Sequence, residues 1–168
     1  KVKQLNKGQN YIQDVANDDL KAAVKSGQLQ ATADFSVLSG LDAVSICVPT
    51  PLNKQKDPDI SYINNVMIKL ATFIHSDMLI ILESTTYPGT TRELILPKLE
   101  AQGFSAGKDF FLCFSPERID PGNKQFGIAN TPKVLGGITD QCTQYGTMLY
   151  GTIVNEVVAV SSPEAAEM

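Results

Sequence analysis

The chain contains no tryptophan, a single histidine and three cysteines among its 168 residues. With His75 as the one imidazole, neither a Ser/His/Asp triad nor a histidine-rich metal cluster can be assembled. His75 itself falls at a predicted helix end before Ser76-Asp77, where capping or exposure explains it. Cys47, Cys113 and Cys142 are odd in number and far apart. That excludes a disulfide framework and zinc-type spacing, and it favours reduced, structural thiols, Cys47 and Cys113 lying in expected buried strands. No apolar run approaches the roughly 20 residues that a bilayer span needs. Residues 1–6 lack the apolar core of a secretory signal, so a cytoplasmic location and no membrane partner are expected. Lysine and arginine are scattered, and the net charge is −4. No nucleic-acid partner is therefore expected, since phosphate backbones require clustered cations. A phosphorylated small molecule is not excluded, because loop amides and helix N-termini hold phosphate without net positive charge.

What is present is a 43% hydrophobic, globular composition with enough length for one domain and a sizeable core. The N-terminus reads as the tail of a helix ended by Gly8. A second helix, capped by Asn17, runs to Lys25 before Gly27. Strands are predicted at 29–35, 43–48, 78–82, 110–114, 133–135 and 153–160. Helices are predicted at 59–75, from Thr90 or Thr91 with Pro97 inside, at 140–150, and from Ser162 onward. This alternation predicts an α/β fold: a Rossmann-like, doubly wound parallel sheet. The expected organisation is one partial domain across 1–160, with 161–168 opening a helix toward another domain. No G-x-G-x-x-G follows a predicted strand.

Three predicted strands end in polar, turn-forming runs, which in an open parallel sheet places all three at the ligand-binding edge. The first is Val48-Pro49-Thr50-Pro51. The second, Glu83-Ser84-Thr85-Thr86-Tyr87-Pro88-Gly89, carries more hydroxyls than helix capping needs. The third, Ser115-Pro116-Glu117-Arg118-Ile119-Asp120-Pro121-Gly122-Asn123, adds a carboxylate partly screened by Phe110, Phe111 and Phe114. Glu117 there suits general acid or base work; a salt bridge to a neighbouring base is the alternative. Each run alone is equally compatible with a plain strand-to-loop exit.

Together, in this order, these runs resemble the UDP-glucose/GDP-mannose dehydrogenase family, and most of all its UDP-N-acetylhexosamine 6-dehydrogenase branch. The likeness extends over 46–52, 57–59, 83–91, 110–111, 115–123 and 132–137. It implies oxidation of a sugar C6 alcohol to a carboxylate with two NAD⁺, by way of a cysteine-bound thioester. By the same resemblance, Val48, Pro49, Thr50, Ser84 and Thr85 are expected to contact NAD. Thr85 and Glu117 are expected to act in catalysis, with Glu117, Arg118, Ile119 and Asp120 lining the UDP-sugar site. Some relatives carry a second acid four residues after this glutamate, where Pro121 stands here. No metal is implied. The first βαβ segment with its glycine-rich phosphate turn, the nucleophilic cysteine and the connecting helix of a homodimer are not found in the 168 residues. The chain by itself is accordingly expected to be inactive and prone to associate through unpaired strand edges. UDP-glucose as substrate, or a non-catalytic nucleotide-sugar-binding module, are the alternatives.

Overall fold

A computed structural model describes residues 1–11, 15–52, 58–118, 127 and 129–168. These form two compact units, Lys1–Phe35 and the residues from Ser36 to Met168. The first unit holds helices α1 (Val2–Leu5) and α2 (Asn17–Lys25). Gly8 and Gly27 adopt positive φ after them, as their sequence positions predict. Helix α2 begins at Asn17 itself, with Ala16 as an uncapped N-cap, so Asn17 lies inside the first turn instead of preceding it. The strand predicted at 29–35 does not form. The Asn6 side chain pairs with both the N–H and the C=O of Ala31, at 2.8 Å each, and satisfies backbone groups that a strand neighbour would otherwise take. The chain continues through a 3₁₀ turn, Phe35–Gly40.

The second unit is built on five strands in the order β1 (Ala43–Ile46), β2 (Leu79–Leu82), β3 (Phe111–Phe114), β4 (Lys133–Gly137) and β5 (Val157–Ala159). β1, β2 and β3 run parallel, with Ile46 opposite Leu82 and Leu82 opposite Phe114. β4 runs antiparallel to β3, pairing Cys113 with Gly137 and Phe114 with Gly136. β5 is parallel to β4. The fold is α/β as predicted, but the sheet is mixed. Strand alternation cannot reveal this, because an apolar run reads the same in both directions.

Alternate residues of β2 and β3 supply two cores, which is why both strands are continuously apolar. Ile80, Leu82, Leu112 and Phe114 face a cluster with Ile63, Met67 and Leu70 of α3 (Ser61–Phe73), Leu99 of α4 (Leu96–Glu100) and Ala166 of α6 (Pro163–Glu167). Leu79, Ile81, Phe111 and Cys113 face Cys142 and Tyr150 of α5 (Asp140–Tyr150). Thr90–Ile95 winds as a π-helix into α4, whose first turn carries Pro97. A proline lacks the N–H an α-helical ladder needs, so it is tolerated in the opening turn where no such bond is required. Neither Thr90 nor Thr91 is the cap. Gly89 takes that place at φ 100°, and both threonines are buried. Ser162 does cap α6, accepting from Ala165 N–H at 3.2 Å.

Candidate active site

The carboxyl ends of β1, β2 and β3 lie side by side, so the Val48, Ser84 and Ser115 runs leave the same edge of the sheet. Ser84 is buried and joins two of them: its Oγ donates to Ile46 C=O at 3.1 Å and accepts from Val48 N–H at 2.8 Å. Its hydroxyl is thus engaged with backbone. Thr85, the next residue, is exposed at the edge, whereas Thr86 shares a 2.6 Å hydrogen bond with Thr90 Oγ1. Val48 and Thr50 are half-buried and Pro49 is exposed. Of the predicted substrate residues, Glu117 and Arg118 are described. Ile119 and Asp120, with 121–123, lie outside the described residues.

Glu117 follows β3 with about half of its side chain exposed, so the three phenylalanines do not screen it. Phe110, Phe111 and Phe114 face the two cores instead. Its Oε2 lies 3.6 Å from Lys133 Nζ, and its Oε1 accepts from Arg118 N–H at 2.7 Å. The ion-pair alternative is therefore realised, with Lys133 as the base.

Sequence reasoning missed the polar cluster behind Glu117. Glu83, at the exit of β2, accepts from Lys133 Nζ at 2.7 Å through Oε2. Its Oε1 accepts from Tyr150 Oη at 2.6 Å and Ser45 Oγ at 2.5 Å. Lys133 also reaches Pro116 C=O at 3.5 Å and lies 5.0 Å from the centre of the Tyr150 ring. Burial drives the Glu83 carboxyl up, but the Lys133, Ser45 and Tyr150 hydrogen bonds outweigh it and leave Glu83 below the usual carboxylate range. Burial first, and then the Glu83 carboxylate, push the Tyr150 phenol up, so it remains a neutral donor. A near-buried ion pair is costly to desolvate, and here every Glu83 oxygen is satisfied. The signal that could have found it is a pair of opposite charges, each bordering an otherwise apolar strand. Tyr150, at the end of α5, belongs both to the core and to this cluster.

Glu83, Glu117, Arg118, Lys133 and Tyr150 line one pocket of about 180 Å³, closed on its apolar side by Pro132, Ile153 and Val154. A cleft with convergent polar groups and a perturbed buried acid is the arrangement expected of a functional site. The thiols take no part in it. Cys113 and Cys142 are buried in the core, while Cys47 is exposed just past β1, outside the buried strand predicted for it. Partial burial of its sulfur, only partly offset by Ser45, raises the Cys47 thiol above its ordinary value, which disfavours a nucleophile. His75 lies just beyond α3 with Nδ1 2.9 Å from Ser76 C=O, away from the cluster. Among the described residues no group of His, Cys, Asp and Glu is arranged to hold a metal ion, and no helix is long and apolar enough to cross a membrane.

Known proteins resemble this chain in sequence and in fold. Residues 1–154 match the UDP-glucose/GDP-mannose dehydrogenase family, NAD binding domain. Protein CapL of Staphylococcus aureus is 34% identical over 160 residues, which cover 94% of this chain and 37% of that protein. A solved UDP-D-ManNAc dehydrogenase from Pyrococcus horikoshii is 30% identical with a TM-score of 0.90, covering 99% of this chain and 40% of that one. A GDP-mannose dehydrogenase from Pseudomonas aeruginosa, solved as a ternary complex, is 26% identical with a TM-score of 0.88 over 100% of this chain and 40% of its own. The chain thus spans roughly two fifths of the length of the proteins it matches. It belongs to the UDP-glucose/GDP-mannose dehydrogenase family, residues 1–154 matching that family's NAD-binding domain.

Proposed function

We propose that the whole protein oxidises the C6 alcohol of a UDP-N-acetylhexosamine to the uronic acid with two NAD⁺, and that this chain supplies the cofactor side of the site. One observation carries the reading: Glu117, Thr85 and Thr50 occupy adjacent strand ends of a family NAD-binding domain, and Glu117 is backed by the Lys133–Glu83 pair. The N-acetylated sugar is favoured because relatives of 29–30% identity are named UDP-N-acetyl-D-mannosamine dehydrogenase and UDP-N-acetyl-D-glucosamine 6-dehydrogenase.

The residues present fit a nicotinamide cofactor in their donor chemistry. Thr85 offers an exposed hydroxyl beside the Val48–Thr50 loop, and Ser84 braces that loop from behind. Bound NAD⁺ supplies the hydride acceptor. The chain's own part is to orient the cofactor through Val48, Pro49, Thr50 and Thr85, and to manage a proton through Glu117. Reaching the acid level consumes a water, and the Glu117 carboxylate accepts its proton. Arg118, with Ile119 and Asp120, borders the sugar nucleotide. Cytoplasmic location and a homodimer of the whole protein complete the proposal.

The test is NADH formation by the whole protein with UDP-N-acetylglucosamine, UDP-N-acetylmannosamine and UDP-glucose in parallel. Turnover of an N-acetylated sugar well above UDP-glucose is expected. Preference for UDP-glucose would overturn the substrate assignment, and binding without NADH would point to a non-catalytic module.

A further inference from the structure

The Lys133–Glu83 pair poses a question that family membership does not answer: why a lysine paired with a near-buried glutamate, and itself at 11% side-chain exposure, also faces Glu117, which is about half exposed. We propose that Lys133 is a positioning residue for Glu117, its ammonium fixing both that carboxylate and the backbone that carries it at the mouth of the pocket. This rests on the acid–base reading of Glu117.

Three geometric facts support the assignment. Lys133 Nζ faces Glu117 Oε2 at 3.6 Å and Pro116 C=O at 3.5 Å, so one cation addresses the side chain and the peptide immediately before it. The same Nζ is anchored at 2.7 Å to Glu83 Oε2, whose other oxygen is held by Tyr150 and Ser45. The ammonium is therefore fixed from behind by groups on β1, on α5 and at the exit of β2. Glu117, by contrast, sits on an irregular segment after β3 with about half of its side chain exposed; the Arg118 N–H holds Oε1 at 2.7 Å, and the Lys133 ammonium addresses the other oxygen, Oε2. A long charged side chain with three donors suits that role, and Glu83 sets where its charge lies.

A double-mutant cycle in the whole protein tests this. Lys133→Met strips Glu83 of its cation in both arms of the cycle, so folding of every variant is checked by thermal melting. Lys133→Met should lower kcat roughly tenfold to a hundredfold while Glu117 is present, the loss that misplacing a reacting group produces. The KM for NAD⁺ should barely move, and Lys133→Arg should restore much of the rate. With Glu117→Gln also in place, Lys133→Met should change kcat by less than about twofold, because its partner is gone. An equal loss in both backgrounds, or no loss with Glu117 intact, would overturn the positioning role. Should Glu117→Gln alone leave kcat unchanged, it is the acid–base reading that fails, and the positioning role falls with it.

Discussion

Lys133 Nζ and Glu83 Oε2 lie 2.7 Å apart with side-chain exposures of 11% and 14%, although 50 residues separate them in sequence. The pair ties the exit of β2 to the entry of β4 across the end of β3.

Breaking this pair from one side is expected to be more damaging than neutralising both partners. Lys133→Met should destabilise by about 3–5 kcal/mol, since an unpaired carboxylate stays buried against Tyr150 and Ser45. Lys133→Met combined with Glu83→Gln should recover most of that loss. Urea unfolding of the three proteins checks the ordering, and equal midpoints for single and double variants would refute it.

Acid should loosen the second unit in a defined window. The Arg92 hydrogen bond, at 2.6 Å, draws the Glu164 carboxyl down from 4.5 to about 2 despite some burial, and Glu83 is also lowered. Groups depressed on folding stabilise fully above their unfolded pKa, and that contribution fades as pH falls through the folded value. Stability should therefore decline from about pH 4.5 toward pH 2. Arg92→Met should remove the Glu164 share of the decline, which thermal melting against pH would show.

Gly136 is expected to tolerate no side chain. A Cβ there would stand 2.0 Å from the Ser162 carbonyl oxygen, which belongs to the N-cap of α6 and cannot yield as a flexible side chain would. Gly136→Ala should cost about 1–3 kcal/mol or more through overpacking. Gly103→Ala is the control for space, having nothing within 4 Å, although its positive φ still strains an alanine. A larger loss of melting temperature at Gly103 than at Gly136 would contradict the packing argument.

Thiol labelling should separate the cysteines. Cys113 is fully buried, and that burial pushes its thiol up to about 12, while Cys142 is buried beside it. Under native conditions near neutral pH, iodoacetamide should modify Cys47 alone and slowly, because its own thiol is raised. Rapid modification of Cys113 in the folded protein would show that α5 leaves the sheet far more readily than its packing implies.

Much of this was legible in the sequence, for reasons that can be named. Leu79–Leu82 and Phe111–Phe114 are apolar at every position because both sheet faces are covered, so the strands and the edge they share could be read directly. Asp140–Tyr150 appears as predicted, although Thr139, just before it, supplies the cap. The false strand at 29–35 arose because a remote side chain, Asn6, satisfies Ala31. The reversal at β4 was invisible, and with it the reason Lys133 reaches Glu117. Since β4 runs against β3 with Phe114 opposite Gly136, the start of β4 extends past the end of β3, and Lys133 comes level with Glu117. Reading only strand ends therefore found Glu117 and overlooked Lys133.

The Ser84 hydroxyl, bonded at once to Ile46 C=O and Val48 N–H, makes the β1 and β2 exits a single mechanical body. Thr50 and Thr85 lie two residues and one residue from that bridge, on the two exits it joins. A ligand that touches both loops meets a surface ordered in advance, and it need not give up affinity to bring two independent segments into register.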